Sequence, residues 1–209
     1  MTRSTNRPAT PAALGIRVKS GWAVGVLLAG PATAPRAFDR QRIELADPRV
    51  PRTRQPYHAG FGVEQTSRQT IARLVRIVER CARRSVAALL RRYRSDGFAL
   101  RGVGVVVGSV IDPARIANPH IRAHAAEGAL FRRVVVDAAR RGGLGASIVL
   151  EREVYRSTAR AARKTERQAK AAMAEVGRGI HGRWRAEEKT AAAAAWLVLA
   201  QRYRPPSFR

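Results

Sequence analysis

Apolar residues fall in two blocks near the start of the chain, LGIRVK at 14–19 and WAVGVLLA at 22–29, separated only by Ser20-Gly21. That spacing predicts two strands joined by a tight turn. Gly30-Pro31 stops the second strand. A third is expected at 36–45, with Phe38, Ile43 and Leu45 as its apolar members. Residues 47–62 carry Pro48, Pro51 and Pro56 with Gly60 and Gly62. They are expected to be a loop without regular structure.

The period then changes. Ile71, Leu74, Val75, Val78, Ala82, Val86, Leu89 and Leu90 recur mostly three or four apart. They predict a long helix from Thr66 to Arg94, capped by Thr66 or Ser67 and ended by Ser95-Asp96-Gly97. Cys81 lies near this stripe and reads as a small core residue. The valine-rich run 102–111 suits a central strand buried on both faces. A helix at 119–141, a short strand at 147–150, a helix at 154–176, a glycine-rich break and a last helix at 185–203 follow.

The later strands alternate with helices, which implies right-handed crossovers and parallel pairing. The predicted fold class is therefore α/β: a mixed five-stranded sheet, a three-strand meander plus two parallel strands, covered by helices. With 209 residues, a single domain over 13–203 is expected, preceded by a disordered basic arm (1–12) and followed by a tail (204–209).

Charge adds a function class. The chain has 40 basic and 15 acidic residues, a net charge of +25, and only four of the basic residues are lysines. Coding bias accounts for arginine over lysine but not for the scarcity of acids. Such an imbalance attracts polyanions, and arginine binds phosphate through two donors. Nucleic acid, DNA or RNA, is the expected partner. No helix pairs a Trp/Phe-rich face with a basic one, so no membrane partner is expected. No apolar run reaches the roughly 20 residues of a membrane span. The polar N-terminus lacks the apolar stretch of a secretion signal, so a cytoplasmic or nucleoid-associated protein is expected. One cysteine, Cys81, excludes an internal disulfide and a multi-cysteine zinc site.

Other chemistry is sparse. His58, His120, His124 and His181 are scattered. His120 and His124 are four apart, but no third ligand lies near in sequence. They read as surface polar contacts, and no metal site is assigned. The glycines of GVGVVVG lack a Lys-Ser/Thr ending and suit a strand.

Five fragments resemble the RuvC family of Holliday-junction resolvases, within the ribonuclease H-like superfamily. GIRVKSG (15–21) stands where that family has Gly-Ile-Asp-Pro-Gly, and AVGVLL (23–28) resembles its second strand. AHAAEGALFRRVVVDAARRGG (123–143) resembles the helix after its fourth strand. EREVY (151–155) matches Pro-Arg-Glu-Val-Lys at Arg152, Glu153 and Val154. RAEEKTAAAAAWLVLA (185–200) resembles its last helix. The resemblance spans roughly 14–200 and implies a ribonuclease H-like fold. A homodimer is implied by the resemblance alone.

The family's chemistry uses carboxylates on two Mg²⁺ ions. Their expected positions here are Arg17, Gly108, Glu187 or Glu188, and Thr190 or Ala191. A cation within ~4 Å of an intended metal site costs several kcal/mol at an effective dielectric near 20. The implied activity is thus that of a catalytically degenerate domain that binds structured nucleic acid through phosphate contacts, without a cofactor. The expected contacts are Arg17, Lys19, Arg52, Arg54, Arg73, Arg76, Arg80 and Arg84. Arg17 either meets a phosphate or pairs with Glu151 or Glu188. Two alternatives stay open. One is a divergent Mg²⁺-dependent endonuclease built from Asp112, Glu151, Glu187 and Glu188, which requires those carboxylates to converge. The other is a basic structural subunit of a nucleoprotein assembly.

Overall fold

The computed structural model describes residues 9–201. Five strands form the main sheet: β1 (Thr10–Lys19), β2 (Trp22–Ala29), β3 (Arg36–Glu44), β6 (Phe98–Val107) and β7 (Ala146–Leu150). Between β3 and the first helix lies a small hairpin of β4 (His58–Gly60) and β5 (Val63–Glu64). The helices are α1 (Arg68–Ser95), α2 (Pro119–Arg141), α3 (Val154–Ala162), α4 (Glu166–Glu175) and α5 (Ala186–Ala200).

The sheet order is β3-β2-β1-β6-β7. The first three strands pair antiparallel, and β6 and β7 add in parallel beside β1. This is the expected meander plus parallel pair. β1 is central, and its burial is continuous rather than alternating because helices cover both faces. Even-numbered residues Leu14, Ile16 and Val18 pack under α1 and α2, against Val78, Val86 and Phe131. The other face carries α3, α4 and α5.

The alanine run of α5 has a steric reason. Gly15 of β1 and Gly104 of β6 sit directly beneath it. A Cβ on Gly15 would lie 1.8 Å from the Ala191 carbonyl oxygen, and one on Gly104 would lie 2.4 Å from that of Ala194. Backbone meets backbone here, so only small side chains fit at Ala191–Ala195, all of them fully buried. Trp196 closes the end of this layer and donates its indole N–H to the Ala32 carbonyl at 2.7 Å. Among the described residues no helix is long and apolar enough to cross a membrane.

Several expected boundaries move. β1 starts at Thr10, inside the segment expected as a disordered arm, because Thr10–Ala12 pair with Phe98–Leu100 of β6. Residues 1–8 of that arm, the tail 204–209 and the expected helix end at Tyr203 lie outside the described residues. β6 occupies 98–107 rather than 102–111. Gly97, at φ +85°, reverses the chain at once after α1, while Val110 and Ile111 are exposed beyond the sheet. The segment 47–62 is not irregular throughout: Pro51–Arg54 form a 3-10 turn and His58–Gly60 pair with Val63–Glu64. The expected helix 154–176 is two helices. Arg163 takes a left-handed conformation (φ 54°), and Thr165 caps α4 by accepting from the Gln168 N–H.

Candidate nucleic-acid interface

Two regions collect the basic residues that the sequence singles out. The first is a cleft of about 330 Å³ at the carboxyl ends of β1 and β6, bounded on one side by α2. Arg17, Lys19, Gly108 and His124 line it. Parallel pairing places Arg17 beside Val106, and Leu150, the last residue of β7, beside Val107. Glu151 follows immediately, so Arg17 reaches across the end of β6 to it.

Arg17 is buried, at 5% exposure, and its guanidinium pairs with both carboxylate oxygens of Glu151. Its remaining NH₂ group donates to the Val18 carbonyl at 2.7 Å. Of the two roles open to Arg17, the structure has the internal pair. Lys19 is half-buried and lies 3.6 Å from the Glu187 carboxylate. The backbone N–H of Glu187 itself, in the first turn of α5, holds its carboxyl below the ordinary value. Burial opposes this, and Lys19 and Arg17 add to it.

The carboxylates needed for a two-Mg²⁺ site do not assemble. Glu151 is bound to Arg17 and Glu187 to Lys19. Glu188 accepts from Arg40 at 3.1 Å and from the Arg185 backbone N–H at 2.9 Å, which explains its burial as part of a helix cap. Asp112 is exposed and caps the short turn at Pro113–Arg115. At Gly108 a Cβ would meet nothing within 4 Å, so space for a larger side chain exists but no ligand does. Hard cations need converging oxygen ligands, and a buried guanidinium stands among these acids instead. The residues present do not fit a pair of Mg²⁺ ions.

The second region is the outer face of the α1/α2 layer. Ser67 caps α1 by accepting from the Thr70 N–H, and Leu74, Val78, Ala82, Val86 and Leu89 bury one side. At about 100° per residue, Arg73, Arg76, Arg80, Arg83, Arg84 and Arg91 fall within roughly a 100° arc on the opposite side. All six are exposed. None forms an ion pair among the described residues. The arc runs about 27 Å along the helix axis.

Arg76, Arg80 and Arg83 form one wall of a groove of about 250 Å³ between α1 and α2. Arg133 and Arg141 line the other wall, with Glu79 and Asp137 between. Arg133 engages both acids, at 2.9 Å and 3.9 Å. Five arginines against two carboxylates leave the groove at +3. Such a groove can hold two or more phosphate groups by charge-assisted hydrogen bonds.

Arg52 and Arg54 are exposed on the 3-10 turn, where the stem of Arg54 packs on Gly21 of the β1–β2 turn. The structure thus brings Arg73, Arg76, Arg80 and Arg84 onto one face, holds Arg52 and Arg54 on a separate loop, and withdraws Arg17. Sequence reasoning missed Arg133 and Arg141. Their signal in the sequence is the spacing of Arg133, Asp137 and Arg141 at steps of four along one helix face.

It also missed a histidine cluster. His58 enters from β4 and meets His120 and His124 of α2, with ring centroids 4.5–5.3 Å apart. Glu127 is fully buried behind them, and one of its oxygens lies 2.7 Å from His58 Nδ1. Burial raises the Glu127 carboxyl pKa, with His58 opposing. Burial and the neighbouring imidazoles of His58 and His120 lower that of His124.

Solved structures that share this fold include two of RuvC. The Thermus thermophilus RuvC structure aligns at a TM-score of 0.51 and 13% identity, covering 89% of this chain and 92% of that chain. T. thermophilus RuvC in complex with Holliday junction substrate aligns at 0.52 and 14%, covering 89% and 91%. The chain therefore has the ribonuclease H-like fold of RuvC, as the sequence fragments implied. No protein-family model and no curated protein matches its sequence.

Proposed function

We propose that this chain is a catalytically degenerate RuvC-like domain that binds structured nucleic acid on its α1/α2 face, through phosphate contacts. One observation carries the reading: the six arginines of the α1 stripe, Arg73 to Arg91, are exposed and in no ion pair among the described residues, whereas Arg17 and Lys19 of the strand-end cleft are bound to internal carboxylates. A free cationic side chain can release counterions from a phosphate backbone without first breaking an internal pair. Degeneracy is supported by Arg17 at the first metal position, Gly108 at the second, and the separate engagement of Glu151, Glu187 and Glu188. Likeness to a fold solved with a Holliday junction supports a junction as the first nucleic acid to try.

The test is a titration of a four-way DNA junction, duplex DNA and RNA at several salt concentrations, with and without Mg²⁺. The expected outcome is binding whose log affinity falls linearly with log salt, at about 0.9 per phosphate contact on B-DNA. Mg²⁺ yields no cleavage. Absence of binding at low salt overturns the binding proposal. Mg²⁺-dependent cleavage lost in Glu151→Gln or Glu188→Gln overturns the degeneracy and favours the endonuclease.

A further inference from the structure

The three histidines do not take part in the proposed interface, and their arrangement has its own chemistry. His120 and His124 are one turn apart on α2, and His58 is carried to them by the β4–β5 hairpin. One nitrogen from each ring lies within 4.8 Å of the others, and no other group of three or more ligating side chains does so among the described residues. His58 Nε2 and His120 Nδ1 are 3.3 Å apart. Two nitrogens on a tetrahedral zinc ion, each at 2.0–2.1 Å from the metal, are separated by about the same distance.

Glu127 completes the pattern. It sits one turn beyond His124, fully buried, with one oxygen on His58 Nδ1 at 2.7 Å. Its other oxygen has no hydrogen-bond partner and lies 3.7 Å from His124 Nδ1. A buried carboxylate behind imidazoles is the usual partner of metal-bound histidine, since it takes the second ring N–H and fixes which nitrogen faces the ion. It also supplies negative charge against a dication in a protein of net +25.

We infer that His58, His120 and His124 form a binding site for a zinc-class divalent transition metal, with Glu127 as the carboxylate that orients His58. Three imidazoles and no thiolate suit Zn²⁺, Co²⁺ or Ni²⁺ and not Mg²⁺, which requires oxygen ligands. Three protein ligands leave a fourth position for water. His58 Nε2 faces the ion because Nδ1 is held by Glu127. The site ties the hairpin to α2 beside the Glu64–Arg122 ion pair (2.6 Å), so a bound ion adds a second link between the same two elements.

The test uses untagged, chelator-treated protein. One equivalent of Co²⁺ is expected to give the intense visible absorption of a tetrahedral site, which Zn²⁺ abolishes by displacement, and Zn²⁺ is expected to raise Tm. His120→Gln and His124→Gln, on the solvent side of the cluster, are expected to lose more than about 100-fold in affinity while circular dichroism shows a folded chain. Glu127→Gln is expected to lose about 10–100-fold. His181→Gln, outside the cluster, binds as wild type. The inference is overturned if wild-type protein leaves Co²⁺ with the weak spectrum of its hydrated ion. It is equally overturned if His120→Gln and His124→Gln bind as tightly as wild type.

Discussion

The strand-end cleft and the α1/α2 face both carry basic side chains, two in the cleft and five in the groove, but differ in what those side chains do. In the cleft, Arg17 lies on Glu151 and Lys19 on Glu187, and the cations offset carboxylates that the fold itself buries or half-buries. On the helical face, Arg76, Arg80 and Arg83 have no partner among the described residues and only Glu79 and Asp137 nearby, both engaged by Arg133. The cleft is where a ribonuclease H-like fold aligned with RuvC directs attention, yet its charge is spent on its own structure. The helical face carries a continuous stripe of exposed arginines in no ion pair among the described residues. The number of cations and their pairing point the same way, and the pairing is the sharper physical reason. Breaking a partly buried ion pair costs more than a surface phosphate contact returns.

The largest expected difference between the two regions is in stability. Glu151→Gln strands the buried Arg17 guanidinium. Complete burial of both partners would cost 3–5 kcal/mol, and the half-exposed Glu151 brings the expected loss to about 2–3 kcal/mol. Arg76→Gln, on the exposed face, is expected to stay within about 0.5 kcal/mol of wild type. Thermal and urea denaturation of the two variants side by side measure the contrast. Equal effects would break it.

Replacing both partners sharpens the same point. Arg17→Met with Glu151→Met removes the charge pair but keeps the volume, and stability is expected to return to within about 1 kcal/mol of wild type. Arg17 would then be an element of sheet architecture in this protein, and junction affinity should be unchanged in that double variant.

On the helical face the smaller prediction concerns the two acids. Glu79→Gln with Asp137→Asn frees Arg133. The salt slope of junction binding is expected to steepen by about 0.9, the value of one added phosphate contact. An unchanged slope would place Arg133 outside the interface.

The smallest effect is a pH dependence in the cleft. The Glu187 carboxyl lies below its ordinary value of 4.5, so its contribution to stability is complete above 4.5 and is lost as pH falls through the lowered value. An NMR titration should place its midpoint below 4.5, and Lys19→Gln should raise that midpoint only slightly, because the first cause is the backbone N–H of α5.

The meander-plus-parallel-pair pattern and four of the five strands are legible because hydrophobic runs bounded by glycine and proline mark strands locally. The apolar run of the sequence continues past the end of β6 through Val110 and Ile111. They are exposed because the chain enters the strand directly after Gly97 and leaves it at Val107. The split between α3 and α4 had no glycine or proline to announce it, only a capping Thr165 and a left-handed Arg163. The basic stripe of α1 was readable from helical spacing alone. The other wall of the groove was not, since which helices lie side by side depends on tertiary packing. His58 joins His120 and His124 across more than 60 residues through a two-strand hairpin too short to show any period. No linear spacing carries that contact. The pairing of Arg17 with Glu151 was one of two choices open at the sequence level, and the parallel register of β1, β6 and β7 decides between them.

The most direct measurement is the salt dependence of four-way-junction binding in two variants compared with wild type: Arg76→Gln/Arg80→Gln/Arg83→Gln on the helical face and Lys19→Gln in the cleft. The triple variant is expected to lower the log–log slope by about 2.7, three contacts at about 0.9 each, with a matching loss of affinity. Lys19→Gln is expected to leave both unchanged. A slope that falls in Lys19→Gln and persists in the triple variant would place the nucleic acid in the cleft and contradict the account.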